Sequence, residues 1–108
     1  MSRISIVKDF TDTPGTRYRT EGDFSGQEFR ETLLKPKYDV LKQGEILTID
    51  FDGVYGYPPS FLEEAFGGLV REIGNPEEVE SKLDFKADER PDLVDKVKKY
   101  IHNAIPKR

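Results

Sequence analysis

The apolar residues of this chain fall into two rhythms. The first is that of β-strands. Ile46-Leu47-Thr48-Ile49-Asp50-Phe51 is a short apolar run, rich in β-branched residues, that reaches two carboxylates, Asp50 and Asp52. A buried central strand emerging at a sheet edge has this pattern. Ile4 to Phe10 alternates apolar and polar residues, with Ile4 and Ile6 on one face, and reads as a further strand. Leu83-Asp84-Phe85-Lys86 alternates in the same way. The second rhythm is helical. Phe61, Ala65, Leu69 and Ile73 recur every four residues, and Phe66 and Val70 widen the stripe. That spacing predicts a helix from about Ser60 to Ile73. Phe29, Leu33 and Leu34 trace an earlier helix. Leu93, Val94, Val97, Tyr100, Ile101, Ala104 and Ile105 trace the last one.

Turn and cap residues punctuate these segments. Thr13-Pro14-Gly15-Thr16 predicts a turn, with Gly15 tolerating positive φ, and Arg17–Thr20 a short edge strand that completes a hairpin. Ser25 and Glu28 have the spacing of a capping box, and Phe24 and Phe29 that of a hydrophobic staple. Lys35-Pro36 predicts a stop or kink, and Tyr38, Val40 and Leu41 a further helical turn. Ser60 and Glu63 repeat the capping-box spacing. Gly74-Asn75-Pro76 ends the second helix, Glu77 to Lys82 forms a short helical turn, and Pro91 opens the last helix. The expected order is β-β-α-β-α-β-α in one domain over residues 1–108. The fold class is α/β: a mixed sheet with helices packed against it.

Composition narrows the chemistry. The chain has 108 residues, 35 % of them apolar and 35 % charged, so its core must draw heavily on seven Phe and five Tyr. It has no Cys, which excludes disulfides and thiolate zinc sites, and one His, which is poor material for a metal site or a triad. A net charge of −4 disfavours broad contact with nucleic acid. The chain has no apolar run of membrane-spanning length and no signal-peptide stretch at its start, so a cytoplasmic location is expected. No cofactor is called for.

Four groups of residues carry candidate chemistry. Asp50-Phe51-Asp52-Gly53-Val54 after an apolar strand resembles the first motif of the haloacid-dehalogenase phosphatases, which implies a Mg²⁺-dependent phosphatase with Asp50 as nucleophile and Asp52 as acid/base. The plainer reading is a strand end followed by a turn. Asp50 and Asp52 with Glu63 and Glu64 could cage a divalent cation, against the reading of Glu63 as the acidic member of a capping box. Arg17, Arg19 and Arg30 could bind an anion or pair with nearby acids. Tyr55, Tyr57, Pro58 and Pro59 form a stiff aromatic loop beside Ser60, suited to contact with another protein. Ser60 is a cap first; a phosphate on it would meet helix N–H groups but be opposed by Glu63 and Glu64.

The segments Gly22-x-x-Ser25-Gly26-x-x-Phe29-Arg30-x-x-Leu33, Leu47-x-Ile49-Asp50-Phe51-Asp52-Gly53-Val54 and Ser60-Phe61-Leu62-Glu63-Glu64-Ala65-Phe66-Gly67, together with Arg17, resemble the STAS-like domains of unknown function. These are small bacterial and archaeal proteins similar to sulfate-transporter and anti-sigma-factor-antagonist domains. The resemblance implies a four- or five-stranded sheet flanked by helices and a non-enzymatic adaptor that binds another protein. In the antagonists, a serine at the start of the helix after the central strand is phosphorylated by a GHKL-class kinase, which controls partner release. Ser60 falls at that position, although Pro59 precedes it where the antagonists place Asp. The expected contact surface is Tyr55, Tyr57, Pro58, Pro59, Phe61 and Glu64, with a GHKL-type ATPase or kinase as a candidate partner. Two rivals stand beside this reading. One is the phosphatase-like enzyme, with Asp50, Asp52 and Glu64 holding a metal. The other is a structural subunit that packs its Gly67-Gly68 face on a second copy.

Overall fold

The computed structural model describes residues 2–104; Ile105, expected in the last apolar stripe, lies outside them. Three strands form one sheet: β1 (Ser2–Ser5), β2 (Leu47–Asp50) and β3 (Leu83–Lys86). They lie in the order β1-β2-β3 and are all parallel. Ile4, Ile49 and Phe85 stand level across the sheet, and so do Ser5, Asp50 and Lys86. A fourth strand, and the antiparallel pair of a hairpin, are absent among the described residues.

Two expectations at the start of the chain are corrected. The strand stops at Ser5 because the chain turns there into a single helical turn, α1 (Ile6–Asp9). Ser5 Oγ accepts from the Lys8 N–H at 3.4 Å, and the Asp9 carboxylate accepts from the Ser5 N–H at 2.8 Å. Both bonds turn the backbone away from the sheet. Arg17–Thr20 is not a strand either. The carbonyls of Thr16 and Arg17 accept from the N–H groups of Gly26 and Gln27 at 2.8 and 3.0 Å, and Arg19–Glu21 is one 3₁₀ turn. The backbone of this segment thus completes a helix start. Gly15 keeps ordinary φ; its need for Gly is close approach, since a Cβ there would lie 2.3 Å from the Asp23 carbonyl oxygen.

The helices follow the predicted stripes. Helix α2 spans 26–39 and α3 spans 59–73; α4 (Pro76–Lys82) and α5 (Asp92–Asn103) complete the set. Ser25 Oγ accepts from the Glu28 N–H at 3.0 Å, so Ser25 caps the helix as expected, without the return bond from Glu28 that would complete a capping box. Phe10 lies between Phe24 and Phe29, at 5.5 and 5.4 Å, in place of a direct staple. Helix α2 passes through Pro36 instead of stopping. The turn before it, Arg30–Leu34, widens to a π-helical turn in which the Lys35 N–H reaches the Arg30 carbonyl. Such a turn accommodates a residue without an N–H. Helix α3 contains a similar wide turn at Glu63–Gly67. Gly74, at φ +85, ends it as expected.

Parallel strands returned by right-handed crossovers in one direction place their helices on one face of the sheet. On that face Ile4, Leu47, Ile49, Phe29, Phe61, Phe66, Leu69 and Ile101 are fully buried. Arg3, Ser5, Thr48, Asp50, Asp84 and Lys86 alternate with the core positions of the strands and form the other, polar face. Among the described residues no helix is long and apolar enough to cross a membrane.

Candidate functional site

The carboxyl ends of the strands carry the two aspartates. Asp50 is buried; its Oδ2 accepts from Arg3 Nη2 at 2.5 Å, and its Oδ1 accepts from the Asp52 N–H at 2.9 Å. Asp52 accepts from the Glu89 N–H at 3.0 Å and from Lys86 Nζ at 2.6 Å. The Glu89 N–H, then Lys86, hold the Asp52 carboxyl below the usual carboxylate range. Its two partners, Asp52 and Asp88, push the Lys86 ammonium up. Glu89 in turn accepts from the Gly53 N–H at 2.8 Å, so the loops after β2 and β3 are fastened reciprocally. The hollow beside them, about 480 Å³, is lined by Arg3, Ser5, Lys8, Asp9, Asp50, Asp52 and Glu89. Each aspartate of the phosphatase-like motif thus already holds a cation of the protein itself. Among the described residues no group of three or more His, Asp or Glu side chains is placed to hold a metal ion.

The aromatic loop leaves the same end of β2. Tyr55 is 89 % exposed. Tyr57 turns inward: its hydroxyl donates to the Phe51 carbonyl at 2.7 Å, and its ring meets that of Phe51 edge-on at 5.3 Å. Burial, then the charges of Asp50 and Asp52, raise the Tyr57 phenol above its usual range. Pro58, with φ −60° and ψ 136°, is the cap residue of α3, and Pro59 stands at its first position. The carbonyl of Pro58 accepts from the N–H groups of Phe61 and Leu62 at 3.0 and 3.2 Å. Ser60 is therefore already inside the helix, half-buried, and makes no capping bond. The second capping box is a corrected expectation.

Two residues of the expected contact surface lie inside the protein. Phe61 is fully buried, its ring 5.8 Å from Phe29 and 6.2 Å from Phe10. Glu64 is buried in a cluster of charges that sequence reasoning divided between an anion site and a metal cage. Arg30 Nη1 donates to the Glu64 carboxylate at 2.7 Å and to its carbonyl at 2.5 Å, while Arg30 Nε donates to Glu72 at 2.8 Å. Arg71 grips Glu63 through two bonds, at 2.8 and 3.2 Å. Arg17, reaching in from the long loop before α2, also donates to Glu63 and lies 3.5 Å from Glu64. Hydrogen bonds from Arg71 and from Arg17 hold the Glu63 carboxyl below its usual range, against the opposing effect of burial. Arg19 pairs with Glu31. All three arginines of the suggested anion site are thus spent on carboxylates. No single motif in the sequence marks this cluster, because bonded partners in it lie up to 46 positions apart.

The Gly67-Gly68 face is also filled from within. A Cβ at Gly68 would lie 2.2 Å from Arg30 Nη1, and one at Gly67 would lie 2.4 Å from Glu63 Oε2. The two glycines make room for the chain's own charged side chains, and both are buried.

Of the residues expected to meet a partner, the structure therefore leaves Tyr55 and Pro59 exposed, with Pro58, Tyr57 and Ser60 partly so. They are contiguous and lie on a loop that is braced from behind. No curated protein and no solved structure matches the chain. The sequence pattern of one family does, over residues 25–93, from the Ser25 cap to the first turn of α5. That span holds β2, β3 and every member of the charged cluster except Arg17. On this match, which covers more than half of the chain, the protein belongs to the family described as the STAS-like domain of unknown function (DUF4325).

Proposed function

We propose that the protein is a non-enzymatic adaptor that binds another protein through Tyr55, Pro59 and the start of α3, with Ser60 as the position where phosphorylation controls that contact. The observation that carries the reading is Tyr55. A tyrosine 89 % exposed on a loop clamped by Tyr57–Phe51 and Gly53–Glu89 bonds presents apolar area at small ordering cost. Ser60 lies five residues on, free of a capping role. A phosphate there adds about −1.5 to −2 charge at pH 7 next to Glu63, one turn away. Its effect falls on the contact surface while the core beneath stays in place. Membership of a STAS-like family agrees with a protein-interaction role. The ion pairs already made by Asp50 and Asp52 weigh against phosphoryl transfer. The partner class is a GHKL-type ATPase or kinase, and the setting is the bacterial cytoplasm.

The test takes a GHKL-type ATPase encoded beside this protein and titrates it calorimetrically with wild type, Tyr55→Ala and Ser60→Asp. Binding by wild type, lost in Tyr55→Ala and weakened in Ser60→Asp without a change in thermal midpoint, supports the reading. Equal binding by all three variants, or none by the wild type together with no phosphate on Ser60 by mass spectrometry, sinks it.

A further inference from the structure

We propose that residues 15–24 form a strap that opens as a unit while the core stays folded, with the Arg17–Glu63 ion pair as its latch. The strap is most of the connection between α1 and α2. From Gly15 to Phe24 not one residue is buried, whereas Pro14 before it and Ser25 after it are. A segment without buried apolar side chains has little to hold it beyond its hydrogen bonds, and such segments open below the global unfolding free energy. The attachments here are few and mostly polar: beside the edge-on contact of Phe24 with Phe10, Arg19 bonds the Gln27 and Glu31 side chains on the exposed face of α2. The Gly15 N–H bonds the Phe24 carbonyl at 2.9 Å and closes the strap on itself. The carbonyls of Thr16 and Arg17 receive the Gly26 and Gln27 N–H groups, and Arg17 reaches Glu63 on α3.

Two features favour release. Phe24 sits at φ +55, a backbone conformation disfavoured for a bulky side chain, and its ring is 40 % exposed. The closed clasp imposes this strain, and opening relieves it. The latch also parts without stranding a charge. Glu63 keeps both bonds to Arg71, and the Arg17 side chain, already 32 % exposed, passes into water. A buried pair that leaves one partner alone resists opening; this one does not. Opening uncovers the Phe10 ring, which Phe24 covers edge-on, and frees the first amides of α2. The open form therefore differs from the closed one at the meeting point of α2 and α3, where Gly26 packs against the Phe61 carbonyl. The device depends on no partner and stands apart from the adaptor reading.

Native-state hydrogen exchange tests it. The Gly26 and Gln27 amides report the strap, and the Phe51 amide, bonded to the Lys86 carbonyl at 2.8 Å, reports the core. In wild type the two strap-bonded amides should exchange about 100-fold or more faster than Phe51, with little dependence on denaturant, as local opening requires. Arg17→Met should speed Gly26 and Gln27 a few-fold further and leave Phe51 unchanged. Gly15→Ala, which drives a Cβ into the Asp23 carbonyl, should abolish their protection while Phe51 remains protected. Exchange of all three amides at one rate with one denaturant dependence would overturn the proposal. So would a Gly15→Ala protein in which Phe51 loses protection as well.

Discussion

Arg30 occupies the space that a side chain at Gly68 would need. Its Nη1 lies 2.2 Å from where a Cβ would stand, and its Cζ 2.9 Å. The two residues sit on different helices, one in the wide turn of α2 and the other just past that of α3. The guanidinium fills this notch while bonding the Glu64 carboxylate, the Glu64 carbonyl and Glu72. In this wide turn the Gly68 N–H reaches the Ala65 and Glu63 carbonyls, and the Glu64 carbonyl accepts from Arg30. The missing Cβ, the arginine and the local widening of α3 are therefore parts of one arrangement.

This reverses the usual sign of a glycine substitution. In a helix interior Gly→Ala ordinarily stabilises by about 1 kcal/mol. Gly68→Ala here must push the guanidinium away from Glu64, which is 9 % exposed and would be left with more distant cations. Hydrogen bonds to charged groups are worth about 1.5–3 kcal/mol each. We expect a net loss of roughly 1–3 kcal/mol in urea denaturation. A stabilised Gly68→Ala protein would show that Arg30 relocates at no cost.

Ser25 and Ser60 separate a formed N-cap from an unformed one. Ser25 is fully buried and accepts from the Glu28 N–H at 3.0 Å, so Ser25→Ala should lose about 0.5–2 kcal/mol. Ser60 makes no capping bond, so Ser60→Ala should stay within about 0.5 kcal/mol of wild type. Paired chemical denaturation curves decide it. A loss at Ser60 as large as that at Ser25 would place the start of α3 one or two residues later than the structure has it.

The same pair shows where sequence reasoning reaches and where it stops. Both serines begin the same four-residue pattern, and the pattern is local. What distinguishes them is partly local too: Pro58-Pro59 starts the helix early, because proline suits its first position. The rest is distant. Glu63, the acid of the second box, is claimed by Arg17 and Arg71, and a spacing rule sees neither. The same limit explains the missing hairpin. Arg17–Thr20 has strand-like composition, yet the Arg17 carbonyl accepts from the Gln27 N–H ten residues ahead, and those of Tyr18 and Arg19 accept from Glu21 and Gly22 within a turn. By contrast β2, β3, α3 and α5 were legible because each carries its apolar residues at a regular period, buried in the core or packed against it. Phe61 illustrates both outcomes, since its position on the apolar stripe placed it in the core while its place beside the loop suggested a contact.

Glu63 gives the domain an acid-sensitive component whose sign follows from its surroundings. Arg71 first, and Arg17 with it, hold its folded-state carboxyl below the ordinary value of 4.5. The unfolded chain, with the higher value, takes up the proton first, so acid favours unfolding. The stabilisation is complete above the ordinary glutamate value and is lost as pH falls from there through the lowered folded value. Glu63→Gln removes this ionisation and keeps much of the shape. The gap in thermal midpoint between wild type and Glu63→Gln should therefore stay constant from about pH 7 to about pH 5.5, then narrow as pH falls below about 4.5. In an Arg71→Met background that keeps Arg17, the narrowing should be smaller, because the stronger of the two partners is gone. A gap that does not change between about pH 5.5 and about pH 3 would mean that Glu63 titrates alike in the folded and unfolded chains. Its bonds to Arg71 and Arg17 would then contribute nothing to stability.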